Sequence, residues 1–367
     1  MRLCRIGPIS ILAHAWRVKG MDTKTMRAVM FLEPKRLEIR EVPIPDVNDD
    51  EILVKIRAAT TCGTDLKTYN RGYHLLKPPC IFGHEFSGDV AAVGRNVSRF
   101  KPGMRVVAHN SAPCQVCFYC KNDQQNLCEN PVFNFGSYAE YITVPAPIVR
   151  LNTYEIPDHI SYPQMAIMEP FSTVVHGQRV IHIRPGEHVA IIGTGPIGLL
   201  HLQMALKSGA SRVVAVDLSE KRLSFAKQIG ATVTVNPENQ DPVEAIKDLT
   251  SGRGVDVAIE CTGKQIGWLT AARVVRKGGR VLWFGGMQKD VSIELDAYFI
   301  HYGELSLHGV FHATPLDVLR AYELITSGVI DTRVLLSGEL PLEKVEEGLK
   351  MMEKGEAVKM VIRPDGS

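Results

Sequence analysis

No run of apolar residues approaches the roughly 20 needed to cross a bilayer as a helix, which excludes an integral helical membrane protein. Charge of one sign is not in excess either: 42 Lys and Arg stand against 40 Asp and Glu, a formal net charge of +2, with no long block of like charges. Nucleic acid or anionic lipid would select a basic surplus, so neither is an expected partner. Internal repeats and low-complexity tracts are absent, which removes repeat architectures. What is present is an ordinary soluble composition, 45% hydrophobic, over 367 residues. That length leaves room for two cores, one to bind a cofactor and one to position a substrate.

The first 20 residues lack any acid. Arg2, Arg5, Arg17, Lys19 and the triplet Ala13-His14-Ala15 look faintly like a signal or transit peptide. Gly7, Pro8 and His14 interrupt the short apolar region, however, and recognisable domain sequence starts only at Met26. Residues 1–25 are therefore read as a disordered extension from an upstream start codon, and the protein as cytoplasmic.

Cysteine is unevenly placed. Cys4, Cys62, Cys80 and Cys261 are scattered, whereas Cys114, Cys117, Cys120 and Cys128 form C-x2-C-x2-C-x7-C. In a reducing compartment such clustering suggests thiolate ligands rather than disulfides. Four thiolates around one tetrahedral ion suit zinc and leave no open coordination position, so this site would be structural. An iron–sulfur cluster and unligated thiols are the alternatives.

From Met26 to about Val144, short β-rich runs (27–31, 52–58, 86–93, 105–108, 138–144) are broken by Gly, Pro and Asn, which predicts a twisted β or barrel-like domain. From His188 the rhythm becomes strand, helix, strand. Six candidate strands (189–192, 212–216, 232–235, 255–260, 280–284, 305–309) alternate with helical patterns at 197–207, 220–228, 242–249 and 266–275. That predicts a doubly wound parallel sheet of Rossmann type, α/β in class. Two further helical patterns, 315–327 and 342–354, and a strand at 357–362 follow.

Gly193-Thr194-Gly195-Pro196-Ile197-Gly198 comes directly after the first of those strands and opens a helix, the context a dinucleotide fingerprint needs. The three glycines serve a tight turn, backbone approach to a pyrophosphate and close helix packing. Asp217, at the end of the second strand, can accept hydrogen bonds from the adenosine ribose hydroxyls and would repel a 2′-phosphate, so NAD is expected over NADP. Arg222 works against this, since a nearby Arg could meet that phosphate. A glycine turn without ligand and a helix-capping Asp are the bland readings.

Cys62 lies in Thr61-Cys62-Gly63-Thr64-Asp65, and His84 and Glu85 in Gly83-His84-Glu85, each at a strand-to-loop junction. Together with the four-cysteine lobe, Met168-Glu169-Pro170 and the glycine fingerprint, in that order, they resemble the zinc-containing medium-chain dehydrogenase/reductase family, in its polyol (sorbitol-type) and threonine dehydrogenase branch. The resemblance runs from about Met26 to Arg363. It implies a GroES-like β domain carrying the zinc (26–175, with 312–367 returning to it) and a Rossmann NAD-binding domain (176–311). Cys62 and His84 would ligate a catalytic zinc, with Glu85 and Glu169 as direct or water-mediated third and fourth partners, giving two zinc ions per chain, one catalytic and one structural. Thr64 would hydrogen-bond the substrate oxygen and pass its proton outward. The substrate would be a small polar secondary alcohol: a polyol, sugar derivative or amino alcohol.

Rivals on the same fold are a zinc-free quinone or enone reductase, a non-catalytic binding member and formaldehyde-type oxidation by the zinc branch. One departure from the family is Lys67, where the resemblance leads one to expect a relay His. Lys67, Arg71, His74 and Lys77 form a basic stretch that either favours an anionic substrate or is a solvated face. Assembly as a homodimer or homotetramer through the edge of the nucleotide sheet is the family expectation, and Val281 to Phe284 with the following loop is a candidate contact.

Overall fold

The computed structural model describes residues 25–365. The proposed extension and its targeting alternative lie outside these residues, except Thr25, which begins the first strand, Thr25–Glu33. That strand forms a hairpin with Arg36–Pro43, a segment the hydrophobic pattern does not announce because it is charged and largely solvent-facing. Ile52–Thr60 is the hub of the β-rich half. Phe86–Val93 and Tyr141–Val144 pair with it antiparallel, and Lys359–Arg363 joins it from the far end of the chain, bringing Leu336–Pro341 alongside in parallel. Phe31, Ile52, Val54, Ile56, Phe82 and Phe86 fill the core between these strands.

The second sheet has six strands, all parallel, in the order Val233–Val235, Arg212–Val216, His188–Ile192, Val255–Glu260, Val275–Trp283, Ser306–Gly309. Val189 and Ile191 pack into the core on one face with Leu199 and Leu202, while Ala190 and Ile192 pack on the other with Ile246 and Ala271. Burial on both faces is why these strands read as continuous apolar runs rather than alternating ones. Strand order reverses between His188–Ile192 and Val255–Glu260, and the crevice at such a reversal is where doubly wound sheets take ligands.

Val281 does not lie on an edge. Its strand has neighbours on both sides, and among the described residues the two edges of the sheet are Val233–Val235 and Ser306–Gly309. The sixth strand, expected from the sequence at 305–309, pairs outside Val275–Trp283 and takes 281–284 off the edge.

The longest helix, Met168–Ile181, lies in a stretch without a sequence assignment. Thr173, Val174, Val175, Val180 and Ile181 are β-branched, Gly177 lowers helix propensity, and the helix is buried nearly all round, so no amphipathic stripe marks it. It packs between the halves against Pro315–Thr326 and sets Glu169 at its first turn. No helix of the described residues is long and apolar enough to cross a membrane.

Candidate active site

Cys62 caps the helix Gly63–Arg71. Its backbone is extended, its Sγ accepts from Thr64 N at 3.5 Å, and its own N–H donates to Asp65 Oδ2 at 3.1 Å, a reciprocal capping box. The thiolate thus sits at the positive end of a helix. His84 and Glu85 follow Gly83, whose φ of 87° turns the chain sharply; a Cβ there would come within 2.5 Å of Ser137 Oγ and 2.8 Å of the Tyr138 ring. Only glycine fits that close approach.

Three ligand atoms, from Cys62, His84 and Glu85, lie within 4.8 Å of one another. A thiolate, an imidazole and a carboxylate converging in this way are a zinc donor set with room for a further ligand, so the residues present fit the metal. His84 Nδ1 donates to Asp65 Oδ1 at 2.9 Å, leaving Nε2 as the ligand atom. Tyr138 in turn donates its hydroxyl to Asp65 Oδ2 at 2.6 Å. Behind Glu85 stands Lys359, 1% exposed, whose Nζ is 2.9 Å from Oε1, 2.7 Å from Oε2 and 2.7 Å from Thr61 O. Thr60 Oγ1 also donates to Glu85.

Sequence reasoning missed Asp65, Tyr138 and Lys359. Asp65 was visible as the third helical residue after a capping Cys, and Lys359 as a lone charge in the apolar strand that ends the chain.

Burial governs the electrostatics. It disfavours a charged His84, but the negative charges of Asp65 and Cys62 outweigh it and raise His84 well above its ordinary range. The Cys62 thiol is raised by burial and by Glu85, with Lys359 and His84 opposing. Burial also pushes Glu169 up to about 7, against the pull of His84. Glu169 is buried within range of these charges yet outside the three-donor group. Thr64 is half-buried, and its hydroxyl has no partner among the described residues. Lys67, Arg71, His74 and Lys77 are all exposed, as a solvated face would be.

The second donor group is Cys114, Cys117, Cys120 and Cys128, also gathered within 4.8 Å. Sulfur pairs 114/120 and 117/128 are each 3.9 Å apart, close to the edge of about 3.8 Å that a tetrahedron with Zn–S near 2.3 Å requires. Backbone N–H groups of Glu129 and Cys120 hold the Cys117 thiol down to about 6, whereas burial sends Cys120 up to about 12. The lobe has little core: Val116 and Phe118 are 69% and 66% exposed. All seven cysteines of the described residues are free thiols.

At the sheet's crevice, Gly193 has φ 93°, and a Cβ on Gly198 would lie 1.9 Å from Gly193 O, so neither position admits a side chain. Gly195, by contrast, has nothing within 4 Å of its Cβ direction. It caps the helix Pro196–Lys207, with Pro196 in the first turn and Ile197 after it, and the free N–H groups there face an open cradle suited to a pyrophosphate. Thr194 Oγ1 is buried at this turn without a partner. Asp217 accepts from Thr194 N at 2.7 Å and from Ser219 N at 2.9 Å. Arg222 donates through Nη2 to Met352 O at 3.0 Å, toward the C-terminal helix Val345–Glu353, with Nε unpartnered. Across the crevice, Glu260 accepts from Thr262 N at 2.6 Å and Gly263 N at 3.0 Å and fixes the loop that packs on Gly193.

The profile of the family described as "Alcohol dehydrogenase GroES-like domain" matches residues 48–158, and that described as "Zinc-binding dehydrogenase" matches residues 196–327. Sorbitol dehydrogenase of Bacillus subtilis (strain 168) is 34% identical over 93% of this chain and 98% of its own. L-threonine 3-dehydrogenase of the same organism is 36% identical over 89% and 94%. Among solved structures, a zinc-binding dehydrogenase of Sinorhizobium meliloti 1021 bound to NADP superposes with a TM-score of 0.86 at 31% identity, covering 93% of this chain and all (100%) of that one.

Proposed function

Because the chain belongs to the zinc-binding alcohol dehydrogenase family, in its polyol and threonine dehydrogenase branch, we propose that it transfers a hydride from a secondary alcohol to NAD at the cleft between its two halves, giving a ketone. The observation that carries this reading is the convergence of Cys62, His84 and Glu85 within 4.8 Å, backed by Asp65 and Lys359. Zinc bound there would lower the pKa of a coordinated alcohol, which makes the alkoxide, the better hydride donor, available near neutral pH.

The chain's own residues do the rest. Cys62, His84 and Glu85 supply donors, and Glu169 completes the set directly or through water. Asp65 fixes the ring of His84, and Lys359 balances the charge of the buried Glu85. Thr64, with its hydroxyl free, hydrogen-bonds the substrate oxygen and takes its proton outward. Cys114, Cys117, Cys120 and Cys128 hold the structural ion. The Gly193 to Gly198 turn cradles the pyrophosphate, and Asp217 meets the ribose hydroxyls. The preference for NAD over NADP is supported by Asp217, a carboxylate at the end of the second strand that would repel a 2′-phosphate, and by Arg222 donating to Met352 O.

In this reading residues 26–175 and 312–367 form the zinc-carrying domain and 176–311 the nucleotide domain, and the enzyme is cytoplasmic and oligomeric through a sheet edge. A zinc-free enone reductase would have no use for either donor group.

The test is a panel of polyols, sugar derivatives, amino alcohols and simple alcohols with NAD and with NADP, followed by reduced nicotinamide absorbance. Turnover on a secondary alcohol, faster with NAD, is the expected result. A fully zinc-loaded protein inactive on every class contradicts the proposal, and faster turnover with NADP contradicts the role given to Asp217.

A further inference from the structure

The glycine fingerprint stands at the carboxyl end of its strand in the six-stranded sheet. At the opposite end of that sheet, where Val255 and Val275 begin their strands, lies a cleft of about 730 Å³. That is the size of a small-molecule pocket. Lys247, Arg253, Arg273, Arg276 and Lys277 line it, with a single carboxylate, Asp296. Positive charge is thus gathered here in a chain whose formal net charge is only +2.

Two ordinary causes account for part of this. Lys247 and Arg273 stand in the last turns of their helices, Pro242–Leu249 and Gln265–Val274, where a cation meets the negative end of the helix dipole. Arg276 donates to Asp256 Oδ1 at 2.7 Å and is neutralised there. Neither cause reaches Arg253 or Lys277, which lie outside the helices and have no carboxylate partner among the described residues. Asp296 alone opposes them, and its Oδ1 accepts from Phe299 N at 3.0 Å. Like charges held together repel, and an anion between them relieves that repulsion.

The loop that carries Arg253 is fixed. Thr250 is buried, donates its hydroxyl to Ile246 O at 2.7 Å and accepts from Gly254 N at 2.8 Å, and Gly252 N donates to Lys247 O at 2.8 Å. Gly254 has φ 99°, and a Cβ there would lie 2.5 Å from Val274 O, so the loop is pressed against the chain just before Lys277. Arg253 spends Nε on Thr250 O at 3.1 Å, and its terminal nitrogens have no partner among the described residues. Val243 and Phe299 supply the apolar part of the wall.

We propose that this cleft is a second anion site, separate from the cofactor crevice, that takes a small molecule carrying two or more phosphate groups. Guanidinium forks meet phosphate oxygens bidentately, and Lys247, Arg253, Arg273 and Lys277, none of them paired with a carboxylate, are spread around the cleft as a diphosphate requires. A neutral polyol gains nothing comparable there. The site does not depend on the oxidoreductase reading, since none of its residues belongs to either metal group or to the fingerprint.

The experiment titrates inorganic pyrophosphate by calorimetry into the zinc-loaded protein with NADH saturating the crevice. Wild type is compared with Arg273→Ala/Lys277→Ala and with Lys207→Ala/Lys227→Ala. All four positions are exposed, and Lys207 and Lys227 also stand in last helical turns of the same sheet's helices without lining the cleft, so the second variant removes equal charge elsewhere. Wild type should bind one pyrophosphate per chain at least about 10-fold more tightly than sulfate at equal ionic strength. The cleft variant should lose at least about 10-fold in pyrophosphate affinity, and the other variant less than about 3-fold. Pyrophosphate should also raise the melting temperature of wild type and of Lys207→Ala/Lys227→Ala, and leave that of the cleft variant unchanged. No binding by wild type, equal affinity for sulfate, or equal losses in the two variants overturns the proposal. If the protein takes up no NADH, the proposed function fails, and the same titration of the dinucleotide-free protein decides the site by the difference between the two variants.

Discussion

Two thiolate-bearing sites in one chain are built in opposite ways. Around Cys62, His84 and Glu85 each donor is already held by a buried partner: Asp65 on His84, Lys359 on Glu85, the helix N-terminus on Cys62. Around Cys114, Cys117, Cys120 and Cys128 the sulfurs are held by backbone N–H groups, and the neighbouring apolar side chains point to solvent. The first site is shaped by the protein's own buried hydrogen bonds and ion pair. The second has little beyond the metal to shape it, because a short lobe with Val116 and Phe118 exposed buries too little to fold alone.

The largest expected effect breaks the protein-shaped site from behind. Lys359→Met leaves the Glu85 carboxylate buried without its counter-charge and should cost about 3–5 kcal/mol in a denaturant melt. The double variant Lys359→Met/Glu85→Gln, with no charge to strand, should recover much of that; no recovery would mean the pair matters for packing rather than charge. Next, Asp65→Asn should weaken zinc binding at this site about 10- to 100-fold in a chelator competition while the cysteine lobe keeps its ion. Equal loss from both sites would erase the distinction.

Away from either metal, the same rule applies to Asp317. Burial would raise its pKa, but the hydrogen bonds from His176, Thr314 and Arg179 win and hold it well below its ordinary value of 3.8. A depressed carboxylate stabilises the fold above about pH 4, and that stability is lost as the pH falls through the lower folded value. Asp317→Asn should therefore cost about 2 kcal/mol at pH 7 and flatten the acid limb of a stability-versus-pH curve. An unchanged limb would show that the depression is not realised. The smallest effect sharpens the comparison from the other side: Phe118→Ser, on the exposed lobe, should shift stability by less than about 0.5 kcal/mol.

Legibility in the sequence followed burial and locality. The parallel sheet was readable because strands buried on both faces are uniformly apolar and glycines and caps punctuate them; Arg212–Val216, Val255–Glu260 and Pro242–Leu249 stand where the pattern put them. Arg36–Pro43 was not, since most of its side chains face water, and Met168–Ile181 was not, since a helix buried on nearly every side has no clear stripe to detect. The four-cysteine group could be read as a spacing, because thiolate ligands are chemically rare and clustered there, whereas Cys62, His84 and Glu85 were implied only by the resemblance of the ordered motifs to the family. Their supports could not: Lys359 lies 274 positions from Glu85 and Tyr138 lies 73 from Asp65, and only the topology that returns the last strand to Ile52–Thr60 brings Lys359 home.

The most direct test of the central claim is zinc content and NAD-dependent turnover measured together on wild type, Cys62→Ser and Cys117→Ser. Two donor groups call for two zinc ions in the wild type. Cys62→Ser should keep its fold and the lobe ion and lose alcohol oxidation, whereas Cys117→Ser should lose the lobe ion, become open to proteolysis between 114 and 128, and retain its active-site zinc. Undiminished turnover by Cys62→Ser, with secondary alcohol and NAD supplied, would contradict the account.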